Sequence, residues 1–366
     1  MHALKRFGTA FGGYKMMENY PVPECGTDDI ILEIKAAAIC GADMKHWGVD
    51  NGYDDTNITP DQQQSVRGHE FAGEIVKVGE NVKDWHVGQR VVSDNSAHVC
   101  GVCPACEQGD FLCCEHKVNL GLDNNTWGGG FSKYCKVPGE ILAIHKHAIW
   151  EIPEGIKYEE ACVLDPICNA YKAVAQQSHL IPGQDVVVFG TGPLGLFSVQ
   201  VAKLMGAVNI VMVGLDDDVK VRFGVAKELG ATHCVNGSKE DVVARCTEIC
   251  GRDNLGLVIE CSGANIALKQ AIEMTRPNAE IVRVGMGFKP LEFSINDITA
   301  WNKSIIGHMA YDSTSWRNCI RLLQSGQIKV QPMITHRLGL SQWQEGFDKM
   351  AKKEAIKVIF HYDYED

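Results

Sequence analysis

Residues 186–207 read VVVFGTGPLGLFSVQVAKLMGA. The apolar run Val186 to Phe189 passes directly into Gly190, Thr191, Gly192, Pro193, Leu194 and Gly195, and then into a helical stretch. A G-x-G-x-x-G string has a mechanical meaning only in this strand–turn–helix setting. Gly190 permits a tight turn, and Gly192 lets backbone amides approach a pyrophosphate at the helix N-terminus. Gly195 allows helix and strand to pack closely. Outward from this turn, NIVMVG, KVRFGVAKELGA, LGLVIECSG and AEIVRVG continue an alternation of short apolar strands and helices. That alternation predicts a parallel sheet with crossover helices.

The first 150 residues have a different texture. They are rich in Gly, Asp and Cys, with short β-type runs such as IILEIKAAAI, GEIVKVG and GQRVVS. These predict a largely antiparallel β domain with irregular loops. Residues 50–65 are polar and aperiodic and read as an exposed loop. Beyond residue 310, WRNCIRLLQSG reads as a helix and IKVIFHY as a terminal strand. The expected division is a β-rich domain over 1–170, a doubly wound α/β domain over 171–309, and a segment 310–366 that completes the first domain.

At 366 residues the chain exceeds what one core usually holds. A net charge of −11 with no basic run argues against nucleic acid and anionic membranes as partners. No apolar stretch has the length of a membrane span, and MHALKRFGTAFGG has no apolar signal core. Fifteen cysteines without an export signal predict a reducing, cytoplasmic setting.

Cys100, Cys103, Cys106 and Cys114 stand in CGVCPACEQGDFLCC with the spacing C-x2-C-x2-C-x7-C. Four thiolates on a tight loop supply the tetrahedral set that zinc prefers and leave no open position, as in a closed structural site. Cys113 is the surplus thiol. A second metal centre is expected from Cys40 in ICGADMKHWG and from His69 and Glu70 in RGHEFAGEIVKVG, with Asp165 of VLDPICNAYKAV as a further carboxylate.

The strand after the glycine turn should end on the acid that holds the adenosine ribose. It ends instead on Gly214, followed by Leu215, Asp216, Asp217 and Asp218. Asp216 is the first candidate and Asp217 the second. No Arg or Lys follows the strand immediately, so a 2′-phosphate would meet carboxylates, which favours NAD over NADP. Arg222, further along, is another candidate for cofactor contact.

The motifs CGAD, GHEFAGEIVKVGENV, the four-cysteine lobe, GGGFSKY, DPICNA, GTGPLG and IKVIF occur in one order. Together they resemble the zinc-containing medium-chain dehydrogenases, the alcohol, polyol and threonine dehydrogenase group, nearly end to end. The resemblance implies a GroES-like catalytic domain beside a Rossmann coenzyme domain. It also implies two zincs per chain, NAD as cofactor, and a homodimer or homotetramer. Cys40 and His69 are similar to the paired catalytic zinc ligands, with Glu70 and Asp165 sharing the remaining coordination and Asp43 orienting His69. Val284 and Gly285 resemble the strand end that receives the nicotinamide carboxamide. The implied reaction is hydride transfer from a secondary alcohol to NAD, with zinc lowering the proton affinity of the substrate oxygen. The acidic metal shell is more similar to polyol and sugar dehydrogenases, with a small polyol, cyclitol or sugar as substrate. Threonine 3-dehydrogenase is the alternative, suggested by the DPxxNA-type turn. Against it, those relatives' histidine before the first lobe cysteine is Ala97 here. A non-catalytic relative would lack Cys40 or His69, and both are present.

Two positions depart from the family pattern. The usual Ser or Thr of CG[ST]D is Ala42, and Lys45, followed by His46, occupies the place of a relay histidine. Lys45 is a candidate catalytic residue that binds a substrate hydroxyl or accepts its proton through water; the alternative is an exposed surface lysine. A lysine near pKa ~10.4 needs strong desolvation to act as a base. Lys45→Met is expected to lower the oxidation rate about 10²-fold if the base is lost. Steady-state kinetics across pH will separate this from a loss of affinity alone, and unchanged rate and affinity would leave Lys45 a surface residue.

Overall fold

The structure is a computed structural model and describes residues 1–7, 13–44, 47, 65–123, 126–287 and 289–365. Lys45, His46 and residues 50–64 of the polar loop lie outside the described residues. The chain divides into two compact units, one of residues 1–165, 312–314 and 334–366, the other of 166–311 and 315–333.

The first unit is built on a seven-stranded sheet. Its order is Ile334–Gly339, Lys357–His361, Ile30–Ala38, Glu70–Val78, Arg90–Ser93 and Ile149–Glu151, with Tyr134–Val137 also paired to Ile30–Ala38. All pairings are antiparallel except that between Ile334–Gly339 and Lys357–His361. Ile30, Leu32, Ile34, Phe71, Ile75, Phe131, Phe347 and Phe360 share one core. The antiparallel β domain expected from the Gly- and Val-rich runs is therefore present, and the terminal strand returns to it.

The second unit holds a six-stranded parallel sheet. Its order is His233–Asn236, Ile210–Gly214, Asp185–Phe189, Leu255–Glu260, Glu280–Arg283 and Ser304–Gly307. Numbered along the chain this is 3-2-1-4-5-6, the doubly wound order that receives dinucleotides at strand C-termini. Every residue of Asp185–Phe189 is buried, as expected of a strand covered on both faces.

The unit boundaries differ from those expected at 170/171 and 309/310. Residues 166–170 belong to the helix Leu164–Tyr171, which continues as a π-helix over Lys172–Gln177. The helix Ser313–Gln324 stays mostly with the parallel-sheet unit. Trp316 packs edge-on against Tyr311, Asn318 donates to the Tyr171 hydroxyl, and Gln200 exchanges two hydrogen bonds with the Lys329 backbone. The return to the first unit starts at Ile334, with 312–314 as a brief earlier contact. Among the described residues no helix is long and apolar enough to cross a membrane.

Candidate metal centres and nucleotide turn

The four-cysteine lobe forms on short elements. The helix Pro104–Glu107 starts on a proline, and a 3-10 turn covers Phe111–Cys113. The sulfurs of Cys100, Cys103, Cys106 and Cys114 all lie within 4.8 Å of one another. Cys100 Sγ is 3.6 Å from Cys114 Sγ and 4.0 Å from Cys106 Sγ. A zinc–sulfur bond of about 2.3 Å makes the edge of a tetrahedral thiolate set about 3.8 Å, so these residues fit zinc. The Val102 amide, with further donors, draws the Cys100 thiol down to about 6, whereas burial pushes Cys106 up to about 12. Cys113 is exposed and outside the cluster.

The second cluster follows from sheet register. Ile30–Ala38 and Glu70–Val78 are antiparallel with Ala38 opposite Glu70. Cys40, two residues past one strand, therefore meets His69 and Glu70 at the start of the other. Ligand atoms of all three lie within 4.8 Å of one another. Gly68 makes the approach possible, with φ +89° and Phe131 packed where a Cβ would stand. Asp43, fully buried, accepts the Cys40 amide on Oδ2 at 3.0 Å. Its Oδ1 lies 3.9 Å from His69 Nδ1 and 3.4 Å from Arg67 Nη2. With Nδ1 turned to Asp43, Nε2 is the imidazole nitrogen left for a metal.

Glu70 Oε2 bonds Lys357 Nζ, which also donates to the Ile39 carbonyl at 3.1 Å. Glu70 Oε1 is buried with no hydrogen-bond partner among the described residues. Burial raises the Glu70 carboxyl well above the usual carboxylate range, with Lys357 pulling against it. A buried thiol, an imidazole and an orphaned carboxylate oxygen form a donor set that zinc fits. Asp165 is not part of this three-atom group. Its Oδ2 accepts Asn95 Nδ2 at 3.0 Å, and its charge helps to raise the Cys40 thiol, for which burial is the larger cause. Asn95 has φ 61°, and a 2.5 Å contact between His145 Nε2 and Asp94 Oδ2 pins the turn it stands on. Cys162 donates to the Glu159 carbonyl at 3.3 Å.

In the parallel-sheet unit, Gly190 takes φ +95° and Gly192 caps the helix Pro193–Leu204, with Pro193 at its start. A Cβ on Gly195 would collide with the Gly190 carbonyl, so helix and strand pack as closely there as the sequence implies, and the space beside Gly192 is open. The ribose end is more surprising. Asp216 is exposed and accepts Asn236 Nδ2 at 2.6 Å and Lys239 Nζ at 3.1 Å; these bonds, Asn236's the larger, lower its carboxyl. Asp217 is exposed as well. Asp218 is buried, accepts the Leu215 amide at 2.8 Å and pairs with Arg222 at 3.5 Å. Its Oδ2 sits 3.0 Å from where a Cβ on Gly214 would be. Lys239 is thus a cation near the ribose end that adjacency in sequence did not disclose.

Sequence reasoning also missed Arg67, Asn95 and Lys357 as site residues. Only Lys357 left a signal, a charge inside the otherwise apolar IKVIF.

Comparison with known proteins agrees with this geometry. The alcohol dehydrogenase GroES-like domain family matches residues 26–147, and the zinc-binding dehydrogenase family matches 193–325. An uncharacterized zinc-type alcohol dehydrogenase-like protein of Escherichia coli K12, YdjL, is 77% identical over 366 residues, covering 100% of both chains. Sorbitol dehydrogenase of Halalkalibacterium halodurans is 30% identical over 98% of each chain. The crystal structure of 2R,3R-butanediol dehydrogenase from Bacillus subtilis aligns with a TM-score of 0.84 at 29% identity, covering 99% of each chain. The chain belongs to the zinc-type alcohol dehydrogenase family, oxidoreductases that join a GroES-like domain to a Rossmann-like parallel-sheet domain.

Proposed function

We propose that this protein oxidises a secondary alcohol of a polyol, cyclitol or sugar with NAD as hydride acceptor. The observation that carries the reading is the Cys40–His69–Glu70 cluster with its free carboxylate oxygen. The sorbitol dehydrogenase relative supports this class, while an L-threonine 3-dehydrogenase of Bacillus velezensis, 31% identical over 98% of each chain, supports the threonine alternative. When bound there, zinc supplies Lewis acidity toward the substrate oxygen, and NAD supplies the hydride acceptor.

The protein's own residues do the rest. Cys40, His69 and Glu70 hold the metal, and Asp165 is the nearby carboxylate anchored by Asn95. Asp43 fixes the His69 ring, and Lys357 fixes Glu70. Ala42 offers no hydroxyl for the substrate proton, which leaves Lys45 as the relay candidate. Gly190, Gly192, Pro193, Leu194 and Gly195 cradle the pyrophosphate, Val284 and Gly285 lie at the nicotinamide end, and Asp216, with Asp217 second, meets the ribose. Three carboxylates against Lys239 and Arg222, both already paired, favour NAD over NADP.

A second copy of the chain is the proposed partner of the sheet edge at Ser304–Gly307. This strand ends the sheet, and Met286, Leu291, Trp301, Ile305 and Met309 near it are exposed. An unpaired apolar edge is a liability that a symmetric partner removes.

Three outcomes are expected. NAD reduction across polyols, inositols, aldoses and threonine should respond to a polyol, cyclitol or sugar and vanish with chelator. Activity on threonine alone would select the alternative reading. Elemental analysis should find about two zincs per chain, one per ligand set. Cys40→Ser should give a folded, inactive protein with one zinc, whereas Cys103→Ser should lose folding or assembly first. Light scattering should show a dimer or tetramer that Ile305→Lys dissociates, and a monomeric wild type would overturn the partner assignment.

A further inference from the structure

One buried carboxylate fastens together the loops that follow Leu255–Glu260 and Glu280–Arg283. Glu260 is fully buried and stands opposite Arg283 in the parallel register. Its Oε1 accepts the Ser262 amide at 2.7 Å, the Ser262 hydroxyl at 2.5 Å and the Gly263 amide at 2.9 Å. Its backbone carbonyl accepts the amides of Val284 and Gly285, each at 2.8 Å. Oε2 has no hydrogen-bond partner among the described residues and faces Arg283 Nε at 3.9 Å. The same guanidinium donates to the carbonyls of Gly285 and Gly263, both at 3.4 Å. One acid and one base therefore span both loops.

The loops interlock without spare room. Gly263 takes φ +72°, and a Cβ on Gly263, Gly285 or Gly287 would strike the backbone of the facing loop. The first loop also touches the nucleotide turn, because the Cys261 amide donates to the Phe189 carbonyl at 2.9 Å. A Cβ on Gly190 would stand 3.0 Å from the Ser262 nitrogen. Burial raises the Glu260 carboxyl, while the Ser262 and Gly263 donors and Arg283 act against that rise. Buried charge pairs add little net stability compared with apolar packing, and their best-attested use is to fix register. Here the register fixed is that of two loops at strand C-termini, where a dinucleotide lies.

We propose that Glu260 and Arg283 are positioning residues for the nicotinamide half of the cofactor, holding the backbone of 262–263 and 284–287 in the shape that receives it. The proposal rests on the dinucleotide reading of the GTGPLG turn. That turn takes the pyrophosphate, so the two braced loops flank the nicotinamide end.

The test is calorimetric titration of the zinc-loaded protein with two probes, NADH and ADP-ribose, the second lacking the nicotinamide. Arg283→Leu and Glu260→Gln are expected to weaken NADH about tenfold, the scale of leaving one buried polar group without its partner. ADP-ribose affinity should stay within about twofold, and Arg283→Lys should recover only part of the NADH affinity, since a cation again faces Glu260 but the two carbonyl bonds of the guanidinium are lost. NADH affinity unchanged in both variants overturns the proposal. Equal loss of both probes also overturns it, because the pair would then serve the fold in general. Wild-type protein that binds neither probe overturns the dinucleotide reading itself, and the proposal with it.

Discussion

The Glu70–Lys357 pair is the constraint on which the catalytic unit depends. Both side chains are 1% exposed, and they stand 287 positions apart in sequence. Leaving either one buried alone costs about 3–5 kcal/mol, a large part of a domain's stability. The C-terminal strand must therefore return beside Ile30–Ala38, where Ile359 pairs with Ala38 and Phe360 with Ala37. Lys357 also reaches the Ile39 carbonyl, so one ammonium ties the final strand to the turn that carries Cys40 and to the acid opposite it. The ends of the chain's own sheet, with few extra residues, thereby assemble the metal cluster.

A second buried layer stabilises the other flank. Asp43 and Arg67 are both nearly inaccessible, and Arg67 also donates to the Leu122 carbonyl at 3.2 Å. The Tyr14 hydroxyl donates to the Asp43 carbonyl at 2.7 Å, and burial lifts that phenol to about 12, so it stays a donor. His69 Nδ1 faces, 3.9 Å away and without a hydrogen bond, an acid whose own position is set by a cation and a backbone amide. Fixing the ring this way matters because metal affinity falls when the partners that orient a ligand are lost.

What could be read from the sequence was what local spacing encodes. The glycine turn, the cysteine lobe and the alternation of strands and helices each have their determinants within about twenty residues, and each folds as that spacing requires. Lys357, Asn95 and Arg67 escaped because their partners stand elsewhere along the chain and only the fold brings them together; Glu260 escaped because most of its partners are backbone amides, which leave no mark in the sequence. Gly214 shows the same limit at shorter range. The strand end was found, but not that Asp218 folds back into the space a side chain there would have filled, nor that Lys239 arrives from the next strand's loop. The compact units divide the chain differently after residue 310 for a similar reason. The amphipathic helix Ser313–Gln324 is visible in sequence, but which core its buried face joins is not.

The charges at the metal cluster bear on why an acid serves beside a single thiolate. An ionised Cys40 and Glu70 carry two negative charges, and Lys357 returns one positive, for a net −1 among residues in contact. A dication held by these residues would bring this to +1 and would supply Lewis acidity there, whereas two thiolates without a buried ammonium would leave it at zero. In a dry site that single unit is worth much more than in water. Asp165, held by Asn95 outside the cluster, adds its negative charge from one step further away. The buried lysine is therefore more than a structural tie. By offsetting one of the two anionic side chains it would leave a dication held there with a net positive charge.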